Sequence, residues 1–153
     1  MTQIENKCPL CEGETLCEHK GFEEQEYRGQ TGNIAFVYSE CAVCGSEQAN
    51  AAQARANKRA MLAFKKEVDG LLTGQEVRAF RKQYHLTQAQ AAAIFGGGPV
   101  AFSKYESDDV MQSEAMDKLL RVARHIPDAL SWLTQRAAEA PPKVLFSKPS
   151  MDK

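Results

Sequence analysis

Five cysteines stand in this chain, and four of them fall in two pairs, Cys8-Pro-Leu-Cys11 and Cys41-Ala-Val-Cys44. Two residues between thiolates let one tight turn aim both sulfurs at a single point. Each pair also runs into a small polar turn, Glu12-Gly13 and Gly45-Ser46, whose backbone amides can hydrogen-bond to sulfur. Two such knuckles compose a tetrahedral sulfur cage, the ligand set that suits Zn²⁺. The 29 residues between the pairs are enough for a hairpin. Disulfides are not expected in a chain of cytosolic type. A thioredoxin-like redox site needs one such pair at a helix start, not two on hairpin ends. An iron–sulfur centre fits the ligand type alone and would colour the protein. Four sulfurs leave no open position for water, which argues for a structural ion over a catalytic one. One structural Zn²⁺ per chain on Cys8, Cys11, Cys41 and Cys44 is therefore expected. Cys17 or His19 could replace a knuckle cysteine; the favoured reading of them is a free surface thiol and an exposed histidine.

The second group of informative residues lies between Leu86 and Glu106. Thr87 and Gln90 have the spacing of a capping box, opening a helix over Gln88–Phe95 that is mostly alanine on its inner side. Gly96-Gly97-Gly98 permits a sharp turn with positive φ, and Pro99 suits the first position of a new helix. A short helix Pro99–Glu106 would turn Phe102 and Tyr105 inward and Val100, Ser103, Lys104 and Ser107 outward. Two short helices around a tight glycine turn make a helix–turn–helix, whose second helix enters a DNA groove. Gln88, Pro99, Val100, Ser103 and Lys104 are the expected DNA contacts. Asp108 and Asp109, just beyond, would repel phosphates.

No catalytic constellation is visible. His19, His85 and His125 are scattered, and His85 reads as a turn or cap residue. The three glycines lack the Lys-Ser/Thr that a phosphate-cradling loop requires. The chain is not expected to be an enzyme.

Several elements must position these residues. Between the knuckles, Phe22–Arg28 reads as a strand with an acidic outer face, Gly29–Gly32 as a turn and Ile34–Ser39 as a second strand. Residues 50–69 predict a helix ending at Gly70, with Met61, Phe64 and Val68 on one face. Arg55, Arg59 and Lys66 form one basic stripe on it, and Lys58 and Lys65 another. That arm either touches nucleic acid or an acidic surface, or is a solvated linker face. Thr73 caps a helix with Val77, Phe80 and Tyr84 inward. Ser113 caps another, with Met116, Leu119, Leu120, Ala123 and Ile126 as its apolar face, and Pro127 opens a last helix bearing Leu130, Trp132 and Leu133. Trp132 and Leu133 belong either to the core or to a dimer seam.

The full 153 residues hold one medium domain or two small ones. Their net charge of −1 hides a segregation. Residues 1–47 carry nine acidic and three basic side chains, a net of −6; residues 48–70 carry a net of +3; residues 71–140 balance; residues 141–153 carry +2. This division suggests a metal-binding domain (1–47), a basic helical connector (48–70), an all-helical domain (71–140) and a flexible tail (141–153) in which Val144–Phe146 could dock. No apolar run is long enough to span a bilayer, and the N-terminus lacks a signal-peptide stretch, so a cytoplasmic protein is expected.

The segment from Leu86-Thr-Gln through Phe102-Ser-Lys-Tyr-Glu106 resembles the Cro/λ-repressor (XRE) helix–turn–helix. Ile94-Phe-Gly-Gly-Gly-x-x-Ala-Phe-Ser-Lys-Tyr-Glu106, following two CxxC pairs of this spacing, is similar to the MqsA family of antitoxins, a YgiT-type zinc finger joined to an XRE domain. The resemblance covers about residues 7–135 and implies an α+β chain: a small zinc-pinned β domain, then an all-α five-helix λ-repressor-like domain. It further implies a homodimer formed through the C-terminal domain, a cognate ribonuclease toxin held by the zinc domain, and repression of the operon by binding palindromic double-stranded DNA. The family's zinc ligands match Cys8, Cys11, Cys41 and Cys44. Its base-reading asparagine and arginine fall on Val100 and Lys104, so the family's sequence preference does not carry over directly. The alternative reading is a solitary zinc-containing XRE-family regulator with no toxin partner.

Overall fold

Leu16–Tyr27 (β1) and Gln30–Cys41 (β2) pair antiparallel through an unbroken register from Leu16↔Cys41 to Tyr27↔Gln30. The structure, a computed structural model, describes residues 6–140. The turn is Arg28-Gly29, with φ of 49° and 74°. Positive φ at both central residues matches the twist of the strands they join. Both strands are thus longer than the alternation suggested, and the turn is not Gly29–Gly32. Gly32 lies inside β2, where an added Cβ would stand 2.5 Å from the Phe64 ring. The glycine marks a close approach between sheet and helix. A short strand, Glu47–Gln48 (β3), pairs with Ser39 and Glu40 and gives the order β1-β2-β3.

Ala51–Val68 (α1) begins at an Asn50–Gln53 capping box and lies against β2. The Asn57 side chain replaces a neighbouring strand: its Oδ1 accepts from the Val37 N–H and its Nδ2 donates to the Val37 carbonyl, both at 2.8 Å. A half-buried strand edge would otherwise leave these groups unpaired. The buried Gln53 amide donates to Ser39 Oγ at 2.8 Å and to Glu18 at 3.2 Å. The expected helix is present, but polar side chains tie it to the sheet as much as its apolar face does.

Among the described residues five helices follow: Gly74–Gln83 (α2), Gln88–Phe95 (α3), Ala101–Glu106 (α4), Glu114–His125 (α5) and Pro127–Glu139 (α6). Thr73, Thr87 and Ser113 cap α2, α3 and α5 as expected, each accepting from a backbone N–H with its side chain. The core joins Val77 and Phe80 of α2, Ala91, Ala92 and Phe95 of α3, Phe102 of α4, Leu120 and Ala123 of α5, and Leu130 of α6. Phe95 packs between Phe80 and Phe102, with ring centroids 5.8 and 6.0 Å away. The alanines of α3 leave room for its neighbours to close on it. The tail from residue 141, including Val144–Phe146, lies outside the described residues.

Candidate metal centre and nucleic-acid interface

The sulfurs of Cys8, Cys11, Cys41 and Cys44 lie within 4.8 Å of one another. Two tight turns bring them there. Glu12 N–H donates to the Cys8 carbonyl at 2.8 Å with Glu12 at φ 59°, and Gly45 N–H donates to the Cys41 carbonyl at 2.8 Å with Gly45 at φ 69°. Because Cys41 ends β2, the hairpin register delivers the second knuckle to the first. Sulfur separations of 3.7 Å (Cys8–Cys44) and 3.6 Å (Cys11–Cys41) fit a tetrahedral ion with zinc–sulfur bonds of about 2.3 Å. None of the four is in a disulfide.

The electrostatics of the cage also call for a cation. Ser46 Oγ lies 3.4 Å from Cys8 Sγ and 3.1 Å from Cys44 Sγ. With backbone groups of Leu10 and Cys11, it brings the Cys8 thiol down to about 6; Cys44 is lowered chiefly by the same hydroxyl. Cys11 receives a hydrogen bond from the Gly13 backbone, yet burial and the sulfurs of Cys41, Cys44 and Cys8 push it up to about 12. Four thiolates this close cannot all ionise without a positive centre. Cys17 is exposed and stands outside the cluster, while His19 stacks on Tyr38 and faces Glu40 at 3.4 Å. The structure therefore selects the four knuckle cysteines over the substitutes their neighbours offered.

In the helix–turn–helix, Gly96, Gly97 and Gly98 all have φ of 90–95°. At Gly97 a Cβ would also crowd Ala101 Cβ at 2.9 Å. The turn extends further than expected: Pro99 and Val100 remain in it, Ala101 N–H bonds to the Gly98 carbonyl, and α4 starts at Ala101. Val100 has ψ of 2°, so the proline does not open the helix. Phe102 is fully buried, whereas Val100, Ser103 and Lys104 are exposed, Val100 by 56%. Gln88 is half-buried and its amide donates to Glu106 at 3.2 Å. Glu106 also receives Arg81 in a two-pronged pair, with Nη2 at 2.9 Å, so it joins α2, α3 and α4. Burial alone would raise the Glu106 carboxyl, but Arg81, Gln88 and Arg78 hold it below its ordinary value.

The two aspartates after α4 do not act as free negative charges. Asp109 takes both guanidinium nitrogens of Arg59, at 2.8 and 2.9 Å, and Arg59 and then the Ser107 hydroxyl hold its carboxyl far below the usual range. Asp108 binds Lys66 Nζ at 2.8 Å and caps α2 through the Gly74 N–H at 3.0 Å. Lys66 is fully buried and also donates to the Tyr105 carbonyl at 3.0 Å. The basic stripe of α1 is thus not one solvated face: Arg59 and Lys66 bolt α1 to the end of α4. Periodicity could not show this, because it places cations on a helix without saying what the neighbouring helix offers them. Trp132 is 58% exposed, Val122 of α5 45% and the cap residue Ile126 52%, while Leu130 carries the core contact.

No helix among the described residues is long and apolar enough to cross a membrane. Residues 6–134 match the family described as the antitoxin component of bacterial toxin–antitoxin systems, MqsA. Antitoxin MqsA of Escherichia coli strain K12 is 31% identical over 128 residues, covering 82% of this chain and 97% of that protein. A match that spans both the sulfur cage and the helix–turn–helix accounts for the two sites together, and the chain belongs to the MqsA family of antitoxins.

Proposed function

We propose that this antitoxin binds a basic ribonuclease-type toxin through its zinc domain and, as a homodimer, represses its own operon by binding palindromic DNA. The observation that carries the reading is the spatial separation of charge. Glu23, Glu24 and Glu26 are exposed along β1, the edge strand of the metal-pinned sheet. An enzyme that cleaves RNA needs a basic surface, to which this strand is complementary. The exposed residues at and just before α4, by contrast, include Lys104, Ser103 and the cap residue Val100, with no acid among them. Lys104 can meet a phosphate or a guanine edge, and Val100 can touch a thymine methyl.

In this reading residues 1–47 are the zinc domain and residues 71–140 the DNA-binding domain, joined by α1. The dimer seam is formed by Trp132 with Val122 and Ile126, because a two-fold operator requires a two-fold protein. The working compartment is the cytoplasm, where the genome and messenger RNA are found.

The test is recovery of the tagged chain from its native host. Co-purification of a small basic protein encoded beside it, released by reversing the charges of Glu23, Glu24 and Glu26, supports the toxin half. A chain that brings down no neighbour's product yet retards its own upstream DNA is a solitary regulator. Trp132→Ala should convert a dimer to a monomer by sedimentation; an unaltered chain already monomeric at micromolar concentration removes the palindrome argument.

A further inference from the structure

Helix α1 carries five cations, and three are already engaged within the protein. Lys66 is buried against Asp108, Arg59 is paired with Asp109, and Lys65 Nζ lies 5.2 Å from the centre of the Tyr27 ring. The other two, Arg55 and Lys58, stand one turn apart, exposed, with no hydrogen bond or ion pair to the described residues. Both line a cleft of about 510 Å³, whose other lining is Lys104 of α4, Asp109 and Val110 beyond its end, and Ala54. Asp109 does not cancel the cleft's charge, because both its oxygens are taken by Arg59. The two ion pairs and the Lys66–Tyr105 bond hold α1 against α4, so the spacing between Arg55, Lys58 and Lys104 is set before any ligand arrives.

We propose that this cleft is a phosphate seat: Arg55 and Lys58 grip the DNA backbone beside the outward row of α4, making α1 part of the DNA-binding surface although it lies outside the helix–turn–helix. The inference rests on the DNA-binding reading above and gives it the phosphate contacts that α4 lacks. Lys104 is the sole cation on α4, and one cation supplies little of the sequence-independent affinity on which DNA binders depend. A guanidinium fork and a flexible ammonium one turn apart suit the bidentate and point-charge modes of holding a phosphate oxygen. Lys104 joins the seat to the base-facing row, so one docking pose engages both.

The experiment uses the full chain and two duplexes of equal length, one from the region upstream of its gene and one scrambled. The Arg55→Gln/Lys58→Gln variant is compared with Lys20→Gln/Lys118→Gln, which removes the same charge from elsewhere. Since neither Arg55 nor Lys58 makes a hydrogen bond or ion pair among the described residues, and Asp109 keeps Arg59, the thermal midpoint should move little. Affinity for both duplexes should fall by the same factor, tenfold or more. The slope of log affinity against log salt should become shallower by about one per cation removed. The control variant should bind as the unaltered chain does. An unchanged slope with the unaltered chain still binding overturns the seat alone. Loss confined to the upstream duplex also overturns it, since phosphate contacts do not read sequence. If the unaltered chain retards neither duplex, the DNA-binding reading falls and the seat with it.

Discussion

The ammonium of Lys66 on α1 lies 2.8 Å from the Asp108 carboxylate beyond α4, with the lysine side chain wholly out of solvent. Asp108 has φ of 57° and uses the same oxygen to cap α2 through Gly74. One carboxylate therefore serves three helices, and the buried charge opposite it depends on its presence. Asp108→Ala should cost about 3–5 kcal/mol, the usual result of stranding one partner of a buried pair. Asp108→Asn keeps the cap but not the charge, and Lys66→Met removes the demand for it. Urea unfolding should rank them with Asp108→Ala most destabilised and Lys66→Met least. Equal effects would show that the pair matters only as packing.

Metal removal should act on one end of the molecule. Chelation should disorder the two knuckles and loosen the hairpin while leaving the core of α2–α6 intact, because no helix-core residue touches the cage. Cys41→Ser should reproduce the effect, and mass spectrometry should find one zinc per unaltered chain. A front-domain amide spectrum that does not change on chelation would refute a structural ion.

Acid should weaken the helical unit through Glu106 and Asp109. Their carboxyls sit below ordinary values, so the folded protein takes up those protons later than the unfolded chain does. The stability they supply is complete above the unfolded values of about 4 and is lost as pH falls through the folded ones. Glu106→Gln should be less stable than the unaltered chain at neutral pH, and the gap should narrow below about pH 4. Denaturation curves at stepped pH check this; a constant gap would remove Glu106 as a source of the dependence.

Gly74→Ala tests how closely α2 approaches α4. Its Cβ would stand 2.5 Å from the Glu106 carbonyl and 2.8 Å from that of Tyr105, both backbone atoms with little freedom to retreat. The expected loss is roughly 1–3 kcal/mol, against the small gain alanine would bring to an open helix start. A neutral or stabilising result by thermal unfolding would mean that the two helices can separate.

If the proposed DNA-binding reading holds, Val100→Asn, at the cap of α4, should change the sequences selected from a randomised duplex pool, since an amide can pair with adenine where an isopropyl group cannot. Lys104→Ala should weaken binding and reduce its salt dependence. An identical selected motif, or an identical salt slope, would remove the corresponding residue from the interface.

The metal ligands, the helix caps and the inward row of α4 were legible in the chain because each rests on local chemistry. A two-residue spacing aims thiolates, a hydroxyl three residues before a free N–H caps a helix, and alternation of apolar residues marks a buried face. Three glycines in succession announced a turn for the same reason, though not that Pro99 and Val100 would extend it. The uses of charge were not legible. Arg59 and Lys66 read only as a basic stripe, Asp108 and Asp109 only as phosphate-repelling charges, and nothing local linked Arg81 to Glu106; yet each is paired with a side chain 25 or more positions away. Pairing of that kind depends on which helix end meets which helix face, a property no local pattern encodes. Likewise Gly32 looked like a turn residue until Phe64 was found lying on it. By itself, then, the sequence determined a sulfur cage, a strand pair and a capped helix–turn–helix. Only the tertiary structure decided which cations of α1 lock it to α4 and which, Arg55 and Lys58, make no hydrogen bond or ion pair among the described residues, because a charge is committed only by virtue of what packs beside it.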